Sequence, residues 1–244
     1  MLKLENITYE VAEDGDAKRI LDDVSVEFNE GFTAITGPNG GGKSTLAKVI
    51  SGVIAPTSGR IILDGEDITG LNITERAKKG ISYAFQQPVR FKGITVRDLI
   101  DIACGKKVKL DEACEYLSSV GLCAKDYINR EVSASLSGGE LKRIEIATVI
   151  ARSTRIALFD EPEAGIDLWS FNSLIKVFEF LRNKLNGAVI LISHQERILS
   201  IADSIVVIDA GRIKAIGPRD EILPTLTGTS TTVACKGMNS QEAV

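Results

Sequence analysis

Residues 32–50, FTAITGPNGGGKSTLAKVI, constrain the chain more than any other stretch. A short apolar run, FTAIT, enters a glycine-rich turn, and an apolar pattern of helical period leaves it. The turn fits G-x-x-x-x-G-K-[ST], and its order has a chemical reason. Glycines let successive backbone N–H groups curl around a phosphate, and the following helix N-terminus adds positive potential. Gly37, Pro38, Asn39, Gly40, Gly41, Gly42, Lys43, Ser44 and Thr45 are therefore the candidate nucleotide-binding residues. Lys43 is placed to reach the β- and γ-phosphates, and the Ser44 hydroxyl to ligate Mg²⁺. A strand before and a helix after argue against a chance glycine turn.

A cation held by one hydroxyl and phosphate oxygens also needs a carboxylate. The segment RIALFDEPEAGID supplies one where an apolar run ends, at Asp160, which would hold the metal through its water shell. Glu161, one residue on, is the candidate general base for the attacking water. The only histidine, His194, follows the apolar run AVILIS. A lone histidine excludes a multi-histidine metal centre. At the end of a strand beside the phosphate-binding strand it could contact the γ-phosphate and the attacking water.

Apolar runs alternate with helical patterns, which predicts an α/β fold with a parallel sheet. LKLENITY, VSVEF, FTAIT, RIILDGEDI, RIALF, AVILIS, IVVID and GRIKAI read as strands. Between Gln87 and Arg152 the pattern turns helical, in TVRDLIDIAC, LDEACEYLSSV and GGELKRIEIATVIA, as if a second lobe were inserted. The division expected is residues 1–86 and 153–224 as a core, 87–152 as a helical subdomain, and 225–244 as a flexible tail.

The balance of charge narrows the partners. The 244 residues carry a net charge of −4, with basic and acidic residues interspersed. This gives no basic stripe for nucleic acid or anionic lipid. The longest apolar runs are strand-sized and fall far short of a membrane span. The N-terminal residues have no secretory pattern. Any link to a membrane is thus expected to pass through another protein. The four cysteines, Cys104, Cys114, Cys123 and Cys235, lack metal-ligand spacing; the first three, in the helix-rich stretch, are expected to be small buried thiols, and a reducing, cytoplasmic setting fits.

A second glycine turn, LSGGE, comprises Leu136, Ser137, Gly138, Gly139 and Glu140 and opens another helical pattern. Ser-Gly-Gly caps a helix, and its N–H groups and dipole also offer an anion site that one chain leaves unused.

Together these motifs resemble the ATP-binding cassette (ABC) ATPases, over nearly the whole chain. GPNGGGKST resembles the Walker A loop, IALFDE the Walker B strand, LSGGE the signature motif, EAGID the D-loop with Asp167, and SH the switch histidine. Gln86 in AFQQP is similar to the Q-loop glutamine that touches the metal, with Gln87 as its neighbour and alternative. Tyr9 stands where the family places an aromatic that stacks on adenine, although a strand aromatic packed in the core reads the same way. The resemblance implies a P-loop NTPase (RecA-like) core with an antiparallel β subdomain and a helical subdomain. It also implies ATP and Mg²⁺ as cofactors, and an ATP-dependent head-to-tail homodimer in which each Walker A loop faces the other copy's signature. The segment QPVRFKGITVRDL is the expected partner surface. Within the family, AFQQPVRFKG, SHQERIL and DEPEAGIDLWSF are most similar to SufC, the ATPase of iron–sulfur cluster assembly. That likeness implies a soluble scaffold similar to SufB or SufD as partner. The alternative is a nucleotide-binding subunit bound to transmembrane transporter subunits. Long coiled-coil insertions of the kind used by DNA-repair cassettes are missing.

Overall fold

The computed structural model describes residues 1–228 except 14, 15, 88, 134, 153, 167, 185 and 186. Its strands are β1 (Leu2–Glu13), β2 (Asp16–Phe28), β3 (Gly31–Thr36), β4 (Ser58–Leu63), β5 (Glu66–Asp67), β6 (Ile81–Ala84), β7 (Ile156–Asp160), β8 (Ala188–Ile192), β9 (Ser204–Asp209) and β10 (Arg212–Pro218). The helices are α1 (Lys43–Ser51), α2 (Ile73–Lys78), α3 (Val96–Cys104), α4 (Leu110–Ser119), α5 (Ala124–Tyr127), α6 (Gly138–Ala151), α7 (Leu168–Lys184), α8 (Glu196–Leu199) and α9 (Arg219–Leu226).

A six-stranded sheet, in the order β10-β9-β3-β8-β7-β6, carries the site, and a four-stranded antiparallel sheet, β2-β1-β4-β5, packs beside it. In the larger sheet β9, β3, β8, β7 and β6 run parallel, with β10 antiparallel at one edge. Every residue of β7 and β8 is buried, as expected for parallel strands covered on both faces. Alternate residues serve different cores. Ala157, Phe159, Val189 and Leu191 join a cluster with α6 and α7, whereas Ile156, Leu158, Ile190 and Ile192 face α1 and the smaller sheet. Phe178 of α7 meets Phe159 edge-on at 5.1 Å, fixing that helix to the sheet. The core therefore has two halves, divided by one sheet.

The α/β cassette architecture expected from the motifs is present. Two strand readings change. β6, only four residues long, was not anticipated, because ISYA is too short to display a period. β2 starts well before VSVEF, because its first half pairs with the outer half of β1. The cysteines also depart from expectation. Cys104 and Cys114 are half-buried, packed at the edge of the core, and Cys123 is exposed where it precedes the first turn of α5. Cys235 lies outside the described residues. α9 continues to Leu226, just past the expected start of the tail, and the rest of that tail beyond 228 lies outside the described residues.

α1, which follows the phosphate loop, is anchored at its far end by a buried cation. Arg76 is 1% exposed, and its guanidinium donates to the carbonyls of Val49 (2.6 Å), Ile50 (2.9 Å), Thr69 (2.8 Å) and Leu71 (2.9 Å). Val49 and Ile50 lie in the last turn of α1, where carbonyls short of helical partners and the negative dipole end favour a cation. Burial lowers the Arg76 pKa, and Asp67 opposes that shift.

Candidate active site

The site forms where four parallel strands end side by side. β3 leads into the glycine loop, β8 into Ser193 and His194, β7 into Asp160 and Glu161, and β6 toward Gln86. Ligands of open parallel sheets gather at this carboxyl edge. The strand ladder extends into the site itself. Ser193 N–H donates to Ile35 O at 3.1 Å, and Glu161 N–H to Ile192 O at 3.0 Å.

Glycine is demanded at two corners of the loop. Gly37 has φ +134°, and a Cβ there would stand 1.9 Å from Ile208 O. Gly42, with φ +103°, caps α1 without any side-chain hydrogen bond, so the first amides of the helix remain open. Pro38, Asn39 and Gly40 are exposed at the tip, and Thr45 is half-buried in the first helical turn. Lys43 is 5% exposed and donates to the carbonyls of Gly37 and Pro38, at 2.8 Å each. Burial lowers the Lys43 pKa, while Glu161 and Asp160 oppose that shift.

Ser44 and Asp160 meet directly, Ser44 Oγ donating to Asp160 Oδ1 at 2.9 Å. The second oxygen, Oδ2, accepts from the Tyr83 hydroxyl at 2.9 Å. Burial and the neighbouring carboxylate push the Tyr83 pKa up, so the phenol stays a donor. Glu161 is held from both sides. Gln86 Nε2 donates to Oε2 at 2.7 Å, and His194 Nε2 stands 3.3 Å from Oε1. Glu161 itself has φ +44°, a left-handed conformation that non-glycine residues adopt at a cost of about 1–3 kcal/mol and that gathers at functional sites.

The residues present suit a hard divalent cation. Among the described residues no cluster of three or more His, Cys, Asp or Glu could hold a metal alone. Ser44 and Asp160 would have to share it with phosphate oxygens, and the Gln86 amide, its nitrogen on Glu161, keeps its carbonyl oxygen for the ion.

The signature turn has a different local structure. Ser137 Oγ accepts from Glu140 N–H at 3.2 Å, and the Glu140 carboxylate accepts from Ser137 N–H at 2.7 Å, a complete capping box on α6. The Tyr127 hydroxyl also donates to Glu140, at 2.5 Å. Ser137 and Gly138 are exposed, whereas Leu136 is 2% exposed and lies in the core of the helical region.

Tyr9 is half-buried on β1 and packs against the core beside the smaller sheet. Asp167 lies outside the described residues. Sequence reasoning missed Tyr83, which sits on the unanticipated strand β6. Glu163 was read only as the start of the EAGID segment; in the structure its Oε1 accepts from the wholly buried Ser193 hydroxyl, while Ser193 Oγ takes Gln195 N–H at 3.0 Å. Burial raises the Glu163 pKa, with Glu161 adding to the shift and Ser193 opposing it. The signal available was the carboxylate two residues past Glu161 in DEPEAG.

This combination of parallel sheet, phosphate loop, acidic strand end and second glycine turn defines a nucleotide-binding cassette. The family model for ABC transporters matches residues 21–164. The chain belongs to that family and is an ATP hydrolase. An uncharacterized ABC transporter ATP-binding protein of Methanocaldococcus jannaschii is 42% identical over 207 residues, 82% of each chain. LptB of Haemophilus influenzae, the ATP-binding protein of a lipopolysaccharide export system, is 30% identical over 217 residues, 85% of this chain and 88% of that one. An ATP-binding cassette of an ABC transporter, solved in its ADP conformation, is 28% identical with a TM-score of 0.78, covering 94% of this chain and 95% of that chain.

Proposed function

We propose that the chain is the ATP-binding subunit of a membrane transporter, acting as a pair of copies that close on ATP and part after hydrolysis. The observation that carries this reading is the path from Gln86 to an open apolar groove. Gln86 bonds Glu161, and the chain on either side of it lines a groove of ≈ 330 Å³ between the sheet and the helical region. Phe85, Val89, Phe91, Leu99 and Ile102 contribute to its walls. Val89 is 47% exposed, Phe91 41% and Ile102 68%, and three such residues gathered on one groove make the kind of contiguous apolar patch that marks an interaction site. The loop is not loose, since Phe91 N–H donates to Val132 O at 2.9 Å and Gly93 N–H to Glu131 Oε1 at 2.7 Å. A partner segment seated there could sense the state of Gln86. Transport names among the relatives support a membrane subunit as that partner. Among the described residues no helix is long and apolar enough to cross a membrane.

In the reaction, Lys43 and the open amides of α1 hold the β- and γ-phosphates. Glu161 takes the proton of the attacking water, kept in place by Gln86 and His194. Mg²⁺, held by Ser44, Asp160 and the Gln86 carbonyl, would neutralise charge on the phosphates. The exposed Ser137–Gly138 turn would complete the other copy's phosphate site. Tyr9 would stack on adenine.

The second reading, a SufC-like ATPase acting on a soluble scaffold, rests on AFQQPVRFKG and SHQERIL. Affinity purification from native membranes and soluble extract separates the two. Recovery with a polytopic membrane protein is the expected result, and recovery with a soluble scaffold alone would replace the transporter reading by the second.

A further inference from the structure

α6 begins at the signature turn, and one turn further along it carries a partly buried ion pair outside the chemistry described so far. Lys142 Nζ lies 3.3 Å from Glu145 Oε2, with their side chains 2% and 18% exposed. Their i,i+3 spacing puts both on one face of the helix. Both are spent on one residue, Phe85. Lys142 donates to Phe85 O, and Glu145 Oε1 accepts Phe85 N–H at 3.2 Å. The two groups thus grip the main chain of Phe85 through its donor and its acceptor at once.

Two routes lead on from Phe85. The next residue is Gln86, whose amide holds Glu161. The Phe85 ring packs on Tyr83 with centroids 4.5 Å apart, and the Tyr83 hydroxyl holds Asp160. An ion pair that satisfies only itself can be replaced by apolar side chains at little cost, whereas each member of this one also pairs a main-chain group of Phe85. Here the pair connects the helix bearing the signature to both acidic residues of the phosphate site. Lys142 is four residues beyond Gly138, about 6 Å along the helix axis. A displacement of the signature turn therefore reaches Phe85 through a rigid element. Phe85 and Glu145 also line the apolar groove, so a docked partner would press on the same contact.

We propose that Lys142 and Glu145 are positioning residues for ATP hydrolysis. By gripping the Phe85 main chain, they set Gln86, and through it the Glu161 carboxylate, according to the position of the signature helix. The inference rests on the reading of Glu161 as the general base.

The test compares four full-length proteins: the natural chain, Lys142→Met/Glu145→Leu, Glu161→Gln, and the triple variant. Single-turnover rates, KM for Mg·ATP and melting temperatures are measured for each. The apolar pair should lower kcat by about tenfold, the scale of a small misplacement of a reacting group, with KM within about twofold. In the Glu161→Gln background it should change the rate by less than about twofold, because coupled residues are non-additive. An unchanged kcat in the apolar pair, or an equal loss with and without Glu161, overturns the proposal. Near-normal turnover in Glu161→Gln removes the general-base reading itself and the inference with it. If the apolar pair fails to fold, Lys142→Met alone carries the same test, since Glu145 can take up a proton there.

Discussion

Two glycine turns open two helices, and they treat their first amides in opposite ways. At α1, Gly42 brings no side chain to the cap, and Lys43 turns back onto the loop's own carbonyls. At α6, Ser137 and Glu140 satisfy each other in a closed capping box. An anion at α1 meets open donors and a nearby cation, whereas one at α6 meets a turn already half satisfied, with a carboxylate in its first turn. The difference teaches which turn can bind alone. α1 can hold a phosphate within one chain. At α6 the Ser137 hydroxyl and the Gly138 and Gly139 amides remain, and under the proposed pairing they would meet a phosphate held mainly by the other copy.

The widest break in this contrast is at Lys43. Lys43→Ala should lower ATP turnover by about 10³-fold, the upper end for loss of one preorganised charge donor, measured as phosphate release. A loss under tenfold would mean that the open loop works without its cation. Next comes Glu161→Gln, expected to slow hydrolysis by about 10²-fold and to accumulate an ATP-bound pair of copies on size exclusion. Ser137→Arg then separates the two turns. It should abolish ATP-dependent pairing yet leave nucleotide affinity of the single chain within about threefold, and undiminished pairing would refute the shared site. The smallest effect is at the capping box itself. Burial raises the Glu140 pKa, but the Tyr127 hydroxyl and the Ser137 contacts outweigh it and leave the carboxyl below its ordinary value. Its stabilisation is thus present above the unfolded pKa of about 4.3 and lost as the pH falls through the lower folded value. Glu140→Ala should cost about 1 kcal/mol in urea unfolding at neutral pH, and the gap should close in acid.

What the sequence made legible was local. The loop from Gly37 to Ser44 announces itself because strand, glycine turn and helix are contiguous. Asp160 and Glu161 could be placed because a buried apolar run must end at a sheet edge. His194 followed from the same logic on the neighbouring strand. The grip on Phe85 was illegible because its partners lie 57 and 60 residues away on a helix whose face is fixed only by packing. Tyr83 stayed hidden for a related reason, as β6 gains its identity from pairing with β7 rather than from its four residues. Leu136 was read with the signature turn as a site residue, but its burial leaves only the main chain to reach a ligand.

Arg76 has a consequence for what α1 asks of a ligand. A permanent cation satisfies the carbonyl end of α1, while the amide end is left to a ligand that comes and goes. The far end of the helix is thus held by the chain itself, whatever the loop contains. A ligand at the loop therefore has only one end of α1 to satisfy.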